Sequence, residues 1–168
     1  MKAVIPAAGH GTRFLPVTKV VPKEMLPIGS RPALELIVEE AKSAGADEIV
    51  MVISKGKELI REYFKDDPAV SFVYQHEQKG LGHAVLQAAP ENAPSDLAVA
   101  GRYLLDVSIF DYLAGQQAGL GGEIQLTDAI ARMIAQKPLY GCVYQGKRQD
   151  IGNPQGYFKA LEAFGEKR

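Results

Sequence analysis

The chain has 168 residues, 46% of them apolar and 23% charged, the make-up of one soluble domain with a core of its own. Its net charge of −1 argues against nucleic acid or a membrane surface as a general partner, so any anion must be met by locally placed cations. No apolar run approaches the roughly 18 residues of a membrane span, no hydrophobic signal core is seen, and the lone Cys142 excludes an internal disulfide and fits a reducing cytoplasm.

In chain order, Val4 and Ile5 of KAVIPAAG read as a short buried strand ended by a glycine loop. Leu34, Ile37, Val38 and Ala41 stand at i, i+3, i+4 and i+7, one face of an amphipathic helix with Pro32 in its first turn and Gly45 at its stop. EIVMVIS (48–54) is a continuous β-branched run, the pattern of a strand covered on both faces. GKELIREYF (56–64) predicts a helix, VSFVYQ (70–75) a strand, and GLGHAVLQAA (80–89) another helix. Three strands alternating with three helices imply right-handed βαβ units around a mostly parallel sheet, a three-layer α/β domain of Rossmann-like type. After the polar loop PENAPSD (90–96), LAVAGRYLL (97–105) predicts a strand. EIQLTDAIARMIAQK (123–137) predicts a helix with Leu126, Ile130, Met133 and Ile134 on one face. LYGCVYQ (139–145) predicts a last strand and NPQGYFKALEAFG (153–165) a closing helix.

The functional signal begins at AAGHGTRFLP (7–16). Parallel sheets bind ligands beyond the carboxyl ends of their strands, and this loop leaves the first strand at such an end. Gly9 and Gly11 let the backbone approach a ligand closely, successive amides form a nest for phosphate oxygens, and Arg13 adds a permanent bidentate charge. A dinucleotide fingerprint needs a third glycine where Phe14 stands, and the P-loop spacing does not occur. What remains is G-x-G-T-R before a proline-punctuated stretch carrying Lys19 and Lys23, too irregular for a helix and of a kind that is usually functional. Plain turn glycines and solvated lysines are the bland alternative.

The run IPAAGHGTRFLPVTKVVPKEMLPI resembles the opening of bacterial UTP–glucose-1-phosphate uridylyltransferases, members of the sugar-nucleotide pyrophosphorylases. The likeness continues in YQHEQKGLGHAV (74–85), APSDLAVAGRYLL (93–105), GGEIQLTDAI (121–130) and DIGNPQGY (150–157), spanning nearly the whole chain. The resemblance implies a nucleotidyltransferase fold and Mg²⁺-dependent uridylyl transfer from UTP to glucose 1-phosphate. It also implies a homo-oligomer, dimeric or tetrameric, in the cytoplasm.

By the same resemblance, Ala8, Gly9, Gly11, Thr12 and Arg13 lie over the nucleotide phosphates. Arg13 stabilises charge on the departing pyrophosphate, and Lys23 reaches the phosphates near the reacting centre. Gln75 reads the pyrimidine edge with the donor and acceptor of one amide, and Gly80 lies close to the base. Val99, Gly101 and Glu123 line the sugar pocket, although Val99 also suits a strand core and Glu123 a helix dipole. Asp150 of D-x-G-N holds the magnesium, a role suited to a carboxylate working with phosphate oxygens and water; an aspartate before a glycine is also a common turn residue. His10, His76 and His83 have no ligand spacing and are read as neither metal ligands nor bases.

One departure from the family pattern stands out. A central segment is expected after the G-L-G-H-A helix, with a strand ending in L-P-D whose aspartate is the other magnesium ligand, and further on a glycine and a Glu-Lys-Pro stretch that hold the sugar. Here GHAVLQAAP passes directly into ENAPSDLAVAGRY, near residues 89–92. Asp96 belongs to the downstream motif and does not replace the missing ligand. Either the chain is incomplete at this point or the central segment is truly deleted, in which case transfer should slow severely. A non-catalytic uridine-nucleotide-binding module and a sister enzyme using dTTP are the competing readings.

Overall fold

The computed structural model describes residues 1–75, 102–114, 116–117, 124–143 and 149–165. They fall into two compact units, Met1–Gln78 with Gln149–Arg168, and Lys79–Arg148. The first holds a parallel sheet of β1 (Lys2–Pro6), β4 (Glu48–Ile53) and β5 (Val70–Tyr74) in the order β1-β4-β5. Between β1 and β4 lie three 3-10 turns (Thr12–Phe14, Val17–Lys19 and Lys23–Met25), a small antiparallel pair β2 (Pro27–Ile28) and β3 (Arg31–Pro32), and α1 (Ala33–Ser43). Helix α2 (Glu58–Phe64) joins β4 to β5.

The periodicities explain the packing. Register sets Ile5 beside Met51 and Met51 beside Phe72, so alternate residues of all three strands share one face. Against that face pack Leu34, Ile37, Val38 and Ala41 of α1, the predicted stripe, with Ile60 and Phe64 of α2. Truncating a fully buried member such as Leu34 to Ala should cost about 2–5 kcal/mol. Helix α1 stops as expected at Gly45: Gly45 N–H donates to Lys42 O and Ala46 N–H to Ala41 O, which satisfies the last carbonyls.

The opposite face of the sheet carries Val4, Val50, Val52 and Val73, with Val4 46% and Val73 53% exposed. Strand β4 is therefore fully buried on one side and half-buried on the other, although its β-branched run predicts two covered faces. Composition reports how apolar a strand is; what lies over it is a tertiary matter.

Helix α5 (Pro154–Gly165) returns to the first unit. Ala160, Leu161 and Tyr157 pack with Ile28, Ala33 and Leu36. Its start is fixed locally: Asn153 Oδ1 accepts the Gly156 N–H at 2.9 Å, and Pro154 sits at the first helical position.

In the second unit α3 (Ile109–Ala114) packs on α4 (Leu126–Ile134) through Ile109, Ala129, Ile130 and Met133. Ile134, expected on the buried face, is 50% exposed, and Ala129 takes the inner position. Lys137 Nζ meets Asp106 Oδ1 at 2.8 Å and, with Ser108, holds that carboxyl well below its ordinary range.

Two expected strands are corrected. Residues 102–105 and 139–143 form no strand. Leu104 and Tyr140 are 79% and 89% exposed, and no strand pairs with either run among the described residues. An isolated β-prone run has nowhere to send its backbone hydrogen bonds and does not become a strand. The rest of both runs, and the helix expected at 80–89, lie outside the described residues. Among the described residues, no helix is long and apolar enough to cross a membrane.

Candidate functional site

The three parallel strands end on one edge, with β4 between the others. That edge sets side by side the glycine loop after β1, the turn Ser54–Lys57 after β4, and Gln75 after β5. Ala7 N–H extends the ladder to Val52 O at 2.8 Å, and Gln75 N–H donates to Ile53 O at 2.8 Å. At about 4.8 Å per strand, the glycine loop and Gln75 stand two spacings apart, roughly 10 Å.

Gly11 is the hinge of the loop. Its φ of +66° is costly for any residue with a Cβ, and such a Cβ would stand 3.0 Å from Thr18 Cγ2 and 3.5 Å from Lys23 Cβ. Thr18 Oγ1 donates back to Gly11 O at 2.9 Å, and Phe14 N–H does the same at 2.9 Å. The loop is thus folded against the stretch that bears Lys23. Gly9 has open space over its Cα, as a close approach to a ligand requires. Ala8 is buried, whereas Thr12 and Arg13 are exposed; Arg13 has no hydrogen bond or ion pair among the described residues.

A cavity of about 180 Å³ lies between the two loops. It is lined by His10, Thr18, Lys19 and Lys23 on one side and by Ser54, Lys55, Gly56 and Lys57 on the other. This is below the roughly 300 Å³ at which whole-ligand pockets begin, so it suits part of a ligand. Four lysines line it and no carboxylate does, although Glu24 pairs with Lys57 and Glu58 accepts from Gly56 N–H at its margin, so that part is an anionic one.

Lys57 and Glu24 were missed by reasoning from sequence. Lys57 is only 8% exposed, and its Nζ donates to Ala7 O at 2.5 Å and to Glu24 Oε2 at 2.8 Å. Burial pushes the Lys57 ammonium down; the hydrogen bond and charge of Glu24 oppose that shift, and nearby Lys23 adds to it. Gly56, at φ +90°, makes the turn that brings Lys57 N–H to Ser54 O at 3.2 Å. A signal was available: a lysine at a helix start opposes the positive end of the helix dipole, so it stands there for another reason.

Asp150 is exposed, and its Oδ1 accepts the Gly152 N–H at 2.9 Å, the arrangement of a turn residue. A Cβ at Gly156 would collide with Asp150 O, so this segment is held tightly against the start of α5. Helix α5 in turn touches the glycine loop: Tyr157 meets Phe14 edge-on, with centroids 6.0 Å apart. Asp150 and the loop therefore belong to one packed unit. Among the described residues, no three His, Cys, Asp or Glu side chains group to hold a metal. Gly80, Val99, Gly101 and Glu123, with His76 and His83, lie outside the described residues. Asp128 pairs locally, accepting from Gln116 Nε2 at 3.2 Å.

With the strand-edge site in view, the chain matches the nucleotidyl transferase family over residues 2–90 and 86–167. The chain belongs to the nucleotidyl transferase family. Among curated relatives of this nucleotidyl transferase is the UTP–glucose-1-phosphate uridylyltransferase of Staphylococcus haemolyticus. It is 34% identical over 258 residues that take in 94% of this chain and 90% of the relative. Those 258 aligned positions outnumber the 168 residues of the chain, so the relative carries positions with no counterpart here. A crystal structure of UDP-glucose pyrophosphorylase complexed with UDP-glucose has a TM-score of 0.85 and 29% identity, covering 99% of each chain. A UTP-bound UGPase from Acinetobacter baumannii has a TM-score of 0.82 and 27% identity, covering 99% of this chain and 94% of its own.

Proposed function

We propose that this nucleotidyl transferase carries out the uridylyl transfer named for its relatives: UTP and glucose 1-phosphate give UDP-glucose and pyrophosphate. A phosphate oxygen of the sugar phosphate attacks the α-phosphorus of UTP, forming one P–O bond while the bond to the β-phosphate oxygen breaks. Such a reaction asks the protein to position two polyanions and neutralise charge rather than to form a covalent intermediate. One observation carries the reading: a glycine loop folded onto Lys23 at the carboxyl edge of a parallel sheet, beside an anion-sized cavity lined with lysines.

In this reading the amides around Gly9 and Gly11, with Ala8 and Thr12, cradle the phosphates. Lys23 meets them from the facing stretch, and Arg13 draws on the departing pyrophosphate. Gln75, two strands away, meets the uracil edge, with Gly80 beside the base. Val99, Gly101 and Glu123 face the sugar. Asp150 is the residue that would hold a magnesium ion: its Oδ1 is engaged by Gly152, which leaves the second oxygen for a ligand set completed by phosphates and water. The ion would supply further neutralisation of phosphate charge.

A second reading, a uridine-nucleotide-binding module with little turnover, draws on a specific observation. The family match comes in two stretches meeting at residues 86–90, and the relatives align over more positions than this chain contains. A central segment missing near residues 89–92 would account for both. It would also account for the β-prone runs at 102–105 and 139–143 that find no strand to pair with among the described residues. The resemblance further suggests a dimer or tetramer, and the reducing cytoplasm, where an exposed Cys142 stays a thiol, suits the chemistry.

The test is direct. The chain is mixed with UTP, glucose 1-phosphate and Mg²⁺, and pyrophosphate release is followed, alongside UTP binding by calorimetry. Release identifies the transferase; binding without release identifies the module; neither would remove the proposal. Replacing UTP with dTTP tests the choice of nucleotide.

A further inference from the structure

Lys57 spends its charge inside the protein, yet it is one of the residues that line the cavity. Its ammonium bridges two segments that the glycine loop separates: Ala7, where β1 ends, and Glu24, in the turn that carries Lys23. Glu24 is 12% exposed and has two lysines near it. Lys57 lies 2.8 Å from Oε2, whereas Lys23 Nζ lies 3.9 Å from Oε1, beyond hydrogen-bond range. The carboxylate is therefore hydrogen-bonded to Lys57, and Lys23 Nζ, within ion-pair range of it, makes no hydrogen bond among the described residues.

We propose that Lys57 is a positioning residue: by occupying Glu24 and the Ala7 carbonyl together, it keeps Lys23 free for substrate phosphate and anchors the base of the glycine loop. The inference rests on the nucleotide reading for its substrate half and on geometry alone for its loop half. Without Lys57, Glu24 is a nearly buried carboxylate with one cation in reach, and the cost of leaving it unpaired draws Lys23 inward. Removing the carboxylate as well ends that competition. A residue that merely filled space would show no such dependence on its partner.

The experiment compares the intact chain with Lys57→Met, Glu24→Gln and the double variant, each checked for folding by its thermal transition. The first measurement is the dissociation constant for UTP in the presence of Mg²⁺. Lys57→Met should weaken binding about tenfold or more. Adding Glu24→Gln should recover at least about threefold of that loss, the share due to Lys23, and leave the share due to the unanchored Ala7 carbonyl. A double variant as weak as Lys57→Met would overturn the proposal, as would unchanged affinity in Lys57→Met. The second measurement needs no nucleotide: amide hydrogen exchange at Phe14 and Met25, whose N–H groups close the turns on either side of the clamp. Lys57→Met should speed exchange there while Met51 in β4 stays protected. Unchanged exchange at both amides would overturn the loop half. Should the parent chain bind no UTP, the functional reading falls and the substrate half falls with it, while the exchange result still decides the loop half.

Discussion

Tyr157 Oη donates a hydrogen bond of 2.7 Å to the carbonyl oxygen of Pro27, 130 positions earlier in the chain. With the edge-on contact between the Tyr157 and Phe14 rings, it fastens the last helix to the strand pair and the loop that follow β1. The segment carrying Asp150 is thereby held in the same packed unit as the glycine loop. Burial raises the Tyr157 hydroxyl above its ordinary pKa, so it remains a donor throughout the neutral range. Tyr157→Phe keeps the ring contact and loses the hydrogen bond; stability should fall by about 0.5–1.5 kcal/mol, read from the urea midpoint at unchanged slope.

Gly11→Ala is the sharper test of the cradle. The substitution meets a left-handed backbone and a Thr18 methyl 3.0 Å from the new Cβ. Strain of about 1–3 kcal/mol is expected in the loop, with UTP affinity falling more than overall stability. A variant that binds UTP like the parent would show that the loop does not touch the nucleotide.

Arg13 and Lys23 differ in surroundings, and their variants should differ in kind. Lys23 packs at Gly11 and lines the cavity, so Lys23→Ala should weaken UTP binding at every salt concentration. Arg13 is exposed and without a protein partner among the described residues. Arg13→Ala should act chiefly on pyrophosphate release and on the salt dependence, since an exposed charge is screened. Titration of each variant at low and high salt separates the two.

Asp150 can be divided into its two roles. Asp150→Asn keeps an oxygen for the Gly152 N–H and removes the charge. Asp150→Ala removes both. If Asp150 holds a metal, Asn and Ala should depress Mg²⁺-dependent activity alike by tenfold or more, while only Ala loosens the turn and lowers the melting temperature. Full activity in Asp150→Asn would leave the turn as its whole function.

The Lys42–Asp67 pair gives a pH signature. Lys42 Nζ lies 2.6 Å from Asp67 Oδ2, and that hydrogen bond pulls the Asp67 carboxyl below its ordinary 3.8. A carboxylate depressed in the folded state stabilises the protein above its unfolded pKa, and the gain is lost as pH falls through the folded value. Asp67→Asn should therefore cost up to about 1 kcal/mol at pH 7. The difference from the parent should shrink steadily below pH 3.8, as read from urea midpoints over that range.

What is legible in the sequence is what depends on near neighbours in the chain. The stripe Leu34, Ile37, Val38 and Ala41, the stop at Gly45, the strand EIVMVI and the start of the last helix at Asn153–Pro154 all follow from spacing, φ preference and capping. The turn at Gly11 was legible too, because a glycine followed by a proline-punctuated stretch marks a left-handed bend; that it folds onto Lys23 is a tertiary contact. Lys57 was not: its role depends on Ala7 and Glu24, 50 and 33 positions away, and a helix-start lysine carries no mark of its distant partners. Residues 102–105 and 139–143, β-prone by composition, form no strand for the same reason, since a strand is a pairing and a pairing takes two segments. Local sequence therefore determined which pieces this chain forms and where its glycine loop lies. Tertiary structure decided which lysine meets solvent, which is clamped, and how the Asp150 segment is held, because desolvation and hydrogen-bond partnership exist only once remote segments meet.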